Sequence, residues 1–247
     1  MVNPGKPAVL APLTGSRLSA GRLPGGHLTP THYIGRTSAM LDFEATAGRV
    51  PLDALAVPRR SGTEPFTLAG AAAGAVLTDF WAWACSDVMS NRLRGVLAEY
   101  IVALAMGAGD GVRTEWDAVD LRLPGGLDIE VKSAAYMQSW SQQRPSRIEF
   151  NVAPTKGWDA RTDSVAAVAL RPSRVYVFCL LHHTDKATVD PLDLDQWEFY
   201  VTPTAALDAA LGTQARVSLA RLRTITPTSV TFGELEARIT ECAATPT

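Results

Sequence analysis

From Val96 to Met106 the chain is apolar at nearly every position, interrupted chiefly by Glu99. Apolar residues on all sides of a helical stretch mark a buried helix. Ser90 or Asn91 can cap its start, and Gly107 can end it. Upstream, Thr78 can cap a shorter helix through Asp79-Phe80-Trp81-Ala82-Trp83-Ala84. Downstream the pattern shortens to strands. Thr114–Leu123 and Leu127–Ser133 flank Pro124-Gly125-Gly126, which predicts a β-hairpin. Further strands are expected over Arg147–Val152, Arg174–Leu181 and Trp197–Val201. Val175-Tyr176-Val177-Phe178 is β-branched and aromatic without alternation, as suits a central strand covered on both faces. Short helices are expected over Thr204–Leu211 and Thr231–Glu241, the second opened by a Thr cap with Glu234 three residues on.

Helices, then a hairpin, then mixed strands and helices predict an α/β (α+β) domain, with a central mixed sheet flanked by helices. Residues 1–66 break the pattern. They hold about half of the 16 prolines, and turns such as Pro24-Gly25-Gly26 and Thr29-Pro30 punctuate them. The chain is therefore expected to divide into an irregular or partly disordered arm, 1–66, and a folded domain, 67–247. Short ordered pieces of the arm are expected around His32–Leu41.

Composition narrows the class. Apolar residues make up 47% and charged residues 19% of 247, which excludes wholesale disorder. A net charge of -2 excludes a histone-like polycation. Cys85, Cys179 and Cys242 are odd in number and far apart, so reduced thiols in a cytoplasmic protein are expected, without a structural zinc site. The most membrane-like stretch, Leu68–Leu77, is about half the ~20 residues a bilayer requires, so no membrane partner is expected. No phosphate-cradling glycine loop and no dinucleotide-binding fingerprint is present.

The chemistry-bearing stretch is Asp117-Ala118-Val119-Asp120-Leu121, the glycine turn, and Leu127-Asp128-Ile129-Glu130-Val131-Lys132-Ser133. On the second strand Ile129 and Val131 point one way, and Asp128, Glu130 and Lys132 the other. A turn centred on Gly125 sets Asp120 opposite Glu130, and opposed residues share a face. Two like charges so placed destabilise the hairpin unless a cation lies between them. Lys132 is one candidate; Mg²⁺ or Mn²⁺, which prefer oxygen ligands, is another. The same register sets Asp128 opposite Arg122 as an ordinary surface ion pair. The alternative for Glu130 and Lys132 is likewise a surface pair. Glu99 supplies a third acid on a helix stripe with Gly95, Val96 and Ala103. A buried carboxylate there needs a cation, a metal or hydrogen-bond donors, and Arg92 or Arg94 could supply the first.

An acid-bearing helix, then an Asp strand, then a Glu-x-Lys strand resembles the PD-(D/E)xK superfamily. This restriction-endonuclease-like fold is shared by restriction enzymes, Holliday-junction resolvases and many repair and phage-defence nucleases. The resemblance covers about Ser90–Leu181. Val119-Asp120 stands where the family often has Pro-Asp, and Ile129-Glu130-Val131-Lys132 fits the Glu-x-Lys strand. The resemblance implies a restriction-endonuclease-like core and a DNA endonuclease. Asp120 and Glu130 would hold Mg²⁺ or Mn²⁺, with the Val131 carbonyl. Glu99 would bind a second ion or orient a metal-bound water, and Lys132 would activate the attacking water. Asp117 is the substitute ligand if the register slips. Some members carry a Gln after the Glu-x-Lys strand, a role that falls to Gln138. The alternative is a catalytically inactive module on the same fold that binds nucleic acid or a partner protein, as a homodimer or within a defence complex.

Past Lys132, Tyr136 and Trp140 could stack on bases, or pack over the sheet edge. Lys132–Lys186 holds eight basic and four acidic residues, whereas the chain from Ala187 onward holds four basic and eight acidic. The basic excess includes Arg144, Arg147 and Lys156, candidate phosphate contacts for a nucleic-acid partner. His182-His183 is expected at a solvated strand end, and Asp190–Asp195 in a turn with helix-capping acids.

Overall fold

The computed structural model describes residues 55–115, 117–159 and 164–245. The ordered pieces expected around His32–Leu41 lie outside the described residues. Four strands form the central sheet, in the order β3 (Leu121–Arg122), β4 (Asp128–Ala135), β8 (Val175–Leu181), β9 (Trp197–Pro203). β3–β4 and β8–β9 are antiparallel and β4–β8 is parallel, so the sheet is mixed as expected.

All seven residues of β8 are buried, because both faces of the sheet are covered. Val175, Val177, Cys179 and Leu181 face one cluster, which takes Ala98, Ile101 and Val102 from α2 (Asn91–Ala105) and Leu235, Ile239 and Cys242 from α5 (Phe232–Ala244). Tyr176, Phe178 and Leu180 face the other, with Leu207 and Leu211 of α3 (Thr204–Leu211) and Leu222 of α4 (Leu219–Ile225). Phe150 of β5 (Glu149–Asn151) and Val217 of β10 (Arg216–Ser218) complete that face. The result is helices on one face, and helices with a two-stranded β5–β10 ribbon on the other. Burial of one such side chain stabilises the fold by about 1.5–3 kcal/mol.

Local signals place most of these elements. Ser90 caps α2, its Oγ accepting from the Leu93 amide, and Gly107, at φ +67°, follows the helix end. Thr231 and Glu234 form the expected capping box of α5. Two expectations need correction. The upstream helix α1 (Leu77–Cys85) has Val76 at its N-cap position, where Asp79 Oδ2 accepts the Val76 amide, whereas the Thr78 hydroxyl donates to the Gly62 carbonyl. And α2 is not buried all round: Tyr100 and Leu104 are about half exposed.

The remaining strands are β1 (Pro65–Leu68) with β2 (Ala71–Val76), and β6 (Trp158–Asp159) with β7 (Ser164–Val165). Arg59 donates to the Gly109 carbonyl and to Asp110, and Leu77 bonds Glu64, tying residues 59–64 to the domain. Cys85, Cys179 and Cys242 are unpaired. His182 and His183 bond Gln196 and Thr188 at the end of β8, and Asp193 caps a short 3₁₀ turn. Among the described residues no helix is long and apolar enough to cross a membrane.

Candidate metal and catalytic site

The hairpin register is the one that a Gly125-centred turn requires. Leu121 pairs with Ile129 and Arg122 with Asp128. Gly125 and Gly126 both take φ values near +90°, which residues with a Cβ rarely adopt. Arg122 Nε lies 2.9 Å from Asp128 Oδ1, the expected surface pair.

β3 is far shorter than the expected Thr114–Leu123 strand. Where its backbone pairing stops, a side chain continues it: Asp120 Oδ2 accepts the Val131 amide at 2.8 Å. This bond fixes the Asp120 carboxylate at the edge of β4. Glu130 and Lys132, on the face of β4 opposite to Ile129 and Val131, meet it there. Lys132 Nζ lies 2.5 Å from Glu130 Oε1 and 3.9 Å from Asp120 Oδ2. The three side chains keep 25%, 16% and 26% of their surface (Asp120, Glu130, Lys132), so they are shielded from solvent yet reachable from it. Lys132 and Glu130 are each less exposed than their counterparts in the Arg122–Asp128 pair. Glu130 Oε2 also accepts from the Ser173 hydroxyl at 3.3 Å. Burial raises the Glu130 carboxyl above the usual carboxylate range, and the Asp120 charge raises it further; Lys132 and Ser173 offset this in part.

Glu99 approaches from α2. Burial is the main cause of its raised pKa, and the Asp120 charge adds to it. Its partner is neither Arg92 nor Arg94 but Arg113, which grips it twice, Nε to Oε2 at 2.5 Å and Nη2 to Oε1 at 3.0 Å. Arg113 went unrecognised in the sequence. A weak signal exists: it is the only Lys or Arg between the end of α2 and Asp120. Glu99, Arg113 and Asp120 line one cavity of about 650 Å³, walled by Trp81, Tyr100 and Val112.

Gln138 has other partners. It is buried, its Oε1 accepts from Arg94 Nη1 at 3.1 Å, and its Nε2 donates to Ala135 O and Ser146 Oγ. Its amide is occupied by groups that do not belong to the acid–lysine cluster. Arg94 in turn holds Met89 O and Asn91 Oδ1, so this network joins the start of α2 to the end of β4. Tyr136 is half-buried and packs on the second core face. Trp140, Arg144 and Arg147 are exposed and line a shallow depression of about 710 Å³ formed by residues 140–147. Lys156 is exposed and lies outside that lining.

No protein-family model, curated protein or solved structure matches the chain. What the site can do therefore comes from its chemistry. Among the described residues no three His, Cys, Asp or Glu side chains gather as a ready-made metal cage. Two carboxylates do gather, around a single ammonium that leaves one negative charge uncompensated. Hard oxygen donors with excess negative charge fit Mg²⁺ or Mn²⁺, which keep several waters and need only one or two carboxylates. Asp120 and Glu130 are the residues that would hold such an ion.

Proposed function

We propose that this chain is a divalent-metal-dependent nuclease, an endonuclease acting on DNA, built on a restriction-endonuclease-like core and serving restriction, phage defence or repair. The observation that supports this reading most is the convergence of Asp120 and Glu130 on Lys132 at the edge of a mixed sheet. The order of elements adds support, since an acid-bearing helix precedes Asp120, just before β3, and the Glu-x-Lys strand.

In this reading Asp120 and Glu130 would hold the ion, which would polarise a phosphate oxygen and lower the pKa of a coordinated water. The chain's own residues do the rest. The Val131 amide keeps the Asp120 carboxylate aimed at the site. Ser173 orients Glu130 through its second oxygen. The Lys132 ammonium is placed to donate to the phosphate oxygen on which charge builds, where a preorganised cation is worth most, while the attacking water gives up its proton to solvent and the 3′-oxygen takes one from solvent as its bond to phosphorus breaks. Products with a 5′-phosphate and a 3′-hydroxyl are expected. Arg144 and Arg147 supply sequence-independent phosphate contacts.

The test is incubation of the purified protein with plasmid and oligonucleotide DNA and with RNA, in Mg²⁺ or Mn²⁺, beside Glu130→Ala and Lys132→Ala. Cleavage by the unaltered protein alone is expected. Unchanged cleavage by either variant would remove the assignment of these residues. Metal-independent binding with no cleavage would assign the chain instead to the inactive, nucleic-acid-binding class.

A further inference from the structure

We propose that Arg113 is the resident second cation of this site: it neutralises Glu99, so that the protein takes one divalent ion, through Asp120 and Glu130, and Glu99 is not a ligand. This rests on the metal-site reading above and concerns a residue that reading does not use.

Three observations carry it. Arg113 binds Glu99 through two nitrogens and two oxygens, the fork geometry that satisfies a carboxylate most completely. Both Glu99 oxygens that face Arg113 are thereby occupied, and only 11% of the Glu99 side chain is exposed. Arg113 also lines the same cavity as Asp120, whose charge, after the bond to Glu99 and the charge of Glu115, helps to raise the Arg113 pKa, so it lies beside the same charge cluster rather than beside an isolated surface acid. Its place is set by the chain path, since the segment after α2 turns back through Gly107, Gly109 and Gly111 and carries Arg113 along the wall of the cavity it shares with Glu99 and Asp120.

The charges then decide the stoichiometry. Glu99, Asp120 and Glu130 are three negative groups, and Arg113 and Lys132 are two positive ones. One divalent ion reverses the sign of these five groups. A second, at Glu99, would have to displace a bidentate arginine. A planar, permanently charged guanidinium is suited to this fixed role, because it does not lose its proton when buried.

The experiment is calorimetric titration of the metal-stripped full chain with Mn²⁺ alone, with no nucleic acid present. The unaltered protein is expected to bind one ion. Asp120→Asn is expected to weaken binding at least about tenfold, through loss of a ligand charge. Arg113→Gln frees Glu99 and is expected to bind Mn²⁺ about tenfold more tightly or more. The double variant Glu99→Gln/Arg113→Gln removes the pair without changing net charge, and its affinity should stay within about threefold of the unaltered protein. Thermal melting of each variant without metal confirms that it is folded. Two ions in the unaltered protein, unchanged affinity in Arg113→Gln, or a loss in the double variant as large as that in Asp120→Asn would each overturn the proposal. No Mn²⁺ binding to any of the folded proteins would instead remove the metal-site reading on which it rests.

Discussion

The Asp120 carboxylate accepts the backbone amide of Val131 at 2.8 Å, so a side chain takes the place of a strand carbonyl where β3 ends. That single bond does two jobs. It satisfies an amide on a buried residue, and it sets an acid beside Glu130. The two jobs can be separated. Asp120→Asn keeps an oxygen acceptor for the amide and should melt close to the unaltered protein. Asp120→Ala leaves the amide unpaired and should lose about 1–3 kcal/mol. Equal stability of the two variants in urea unfolding would show that the bond matters little to the fold.

Lys132 stands between two carboxylates. Its removal should lower cleavage by about 10²-fold or more, the scale of losing a preorganised charge at a reacting phosphate. Mn²⁺ binding should persist or tighten in Lys132→Met, because the two acids lose their internal cation. Loss of both cleavage and metal binding would mean that Lys132 organises the ligands instead of acting on the substrate.

The raised Glu130 carboxyl gives a stability signature with a definite sign. The folded chain holds the Glu130 proton more tightly than the unfolded chain. This contribution is present in full below the usual carboxylate pKa, ~4, and is lost as pH rises through the raised folded value. At pH 8 the ionised, buried Glu130 therefore costs stability in the metal-free protein. Glu130→Gln should melt about 2–4 °C higher there, the shift that ~1 kcal/mol makes in a chain of this size. The gain should vanish near ~pH 4, where both proteins carry a neutral group. A variant that melts lower at pH 8 would contradict this balance. Mn²⁺ affinity should fall as the medium is acidified through the same raised value.

Gln138 and Arg94 make a prediction of the opposite kind. Arg94 is 3% exposed, and burial lowers its pKa, so it depends on its three acceptors. Gln138→Ala removes one of them and should cost about 1–3 kcal/mol of stability. Activity per folded molecule should change less than about threefold. A tenfold fall in turnover without loss of stability would return Gln138 to the catalytic group.

Arg144 and Arg147 form no ion pair among the described residues, and they share a surface depression with Trp140. The double change to Ala should weaken DNA binding alike across sequences. It should also reduce the slope of log affinity against log salt by about 2, one per phosphate contact. An unchanged slope would place the nucleic-acid path elsewhere on the molecule.

The parts of this structure that were legible in the sequence are those written in local chemistry. The Pro124-Gly125-Gly126 turn set the hairpin register, and with it both the Arg122–Asp128 pair and the approach of Asp120 to Glu130. The unbroken apolar run of β8, the Ser90 cap and the Thr231–Glu234 box likewise located their elements. The parts that were missed depend on partners distant in sequence. Arg113 meets Glu99 from 14 residues away, past the end of α2 and a glycine-rich segment with no periodicity to read. Gln138 meets Arg94 across 44 residues. The short elements β10 and α4 exist because Val217 and Leu222 complete a core whose other members lie far upstream. The expected ten-residue strand before the turn shrank to β3 because Asp120 uses its side chain, not its backbone, to meet β4.

The most direct test of the central claim is the initial rate of supercoiled-plasmid cleavage by the unaltered protein and by Asp120→Asn, each with Mg²⁺ and with EDTA. Asp120→Asn is the informative partner because it keeps the acceptor for Val131 while removing the ligand charge. The expected result is Mg²⁺-dependent nicking by the unaltered protein, none in EDTA, and a rate lower by about 10²-fold or more in the variant. Equal rates for the two proteins, or cleavage that persists in EDTA, would contradict the assignment of Asp120, Glu130 and Lys132 as a metal-dependent hydrolytic centre.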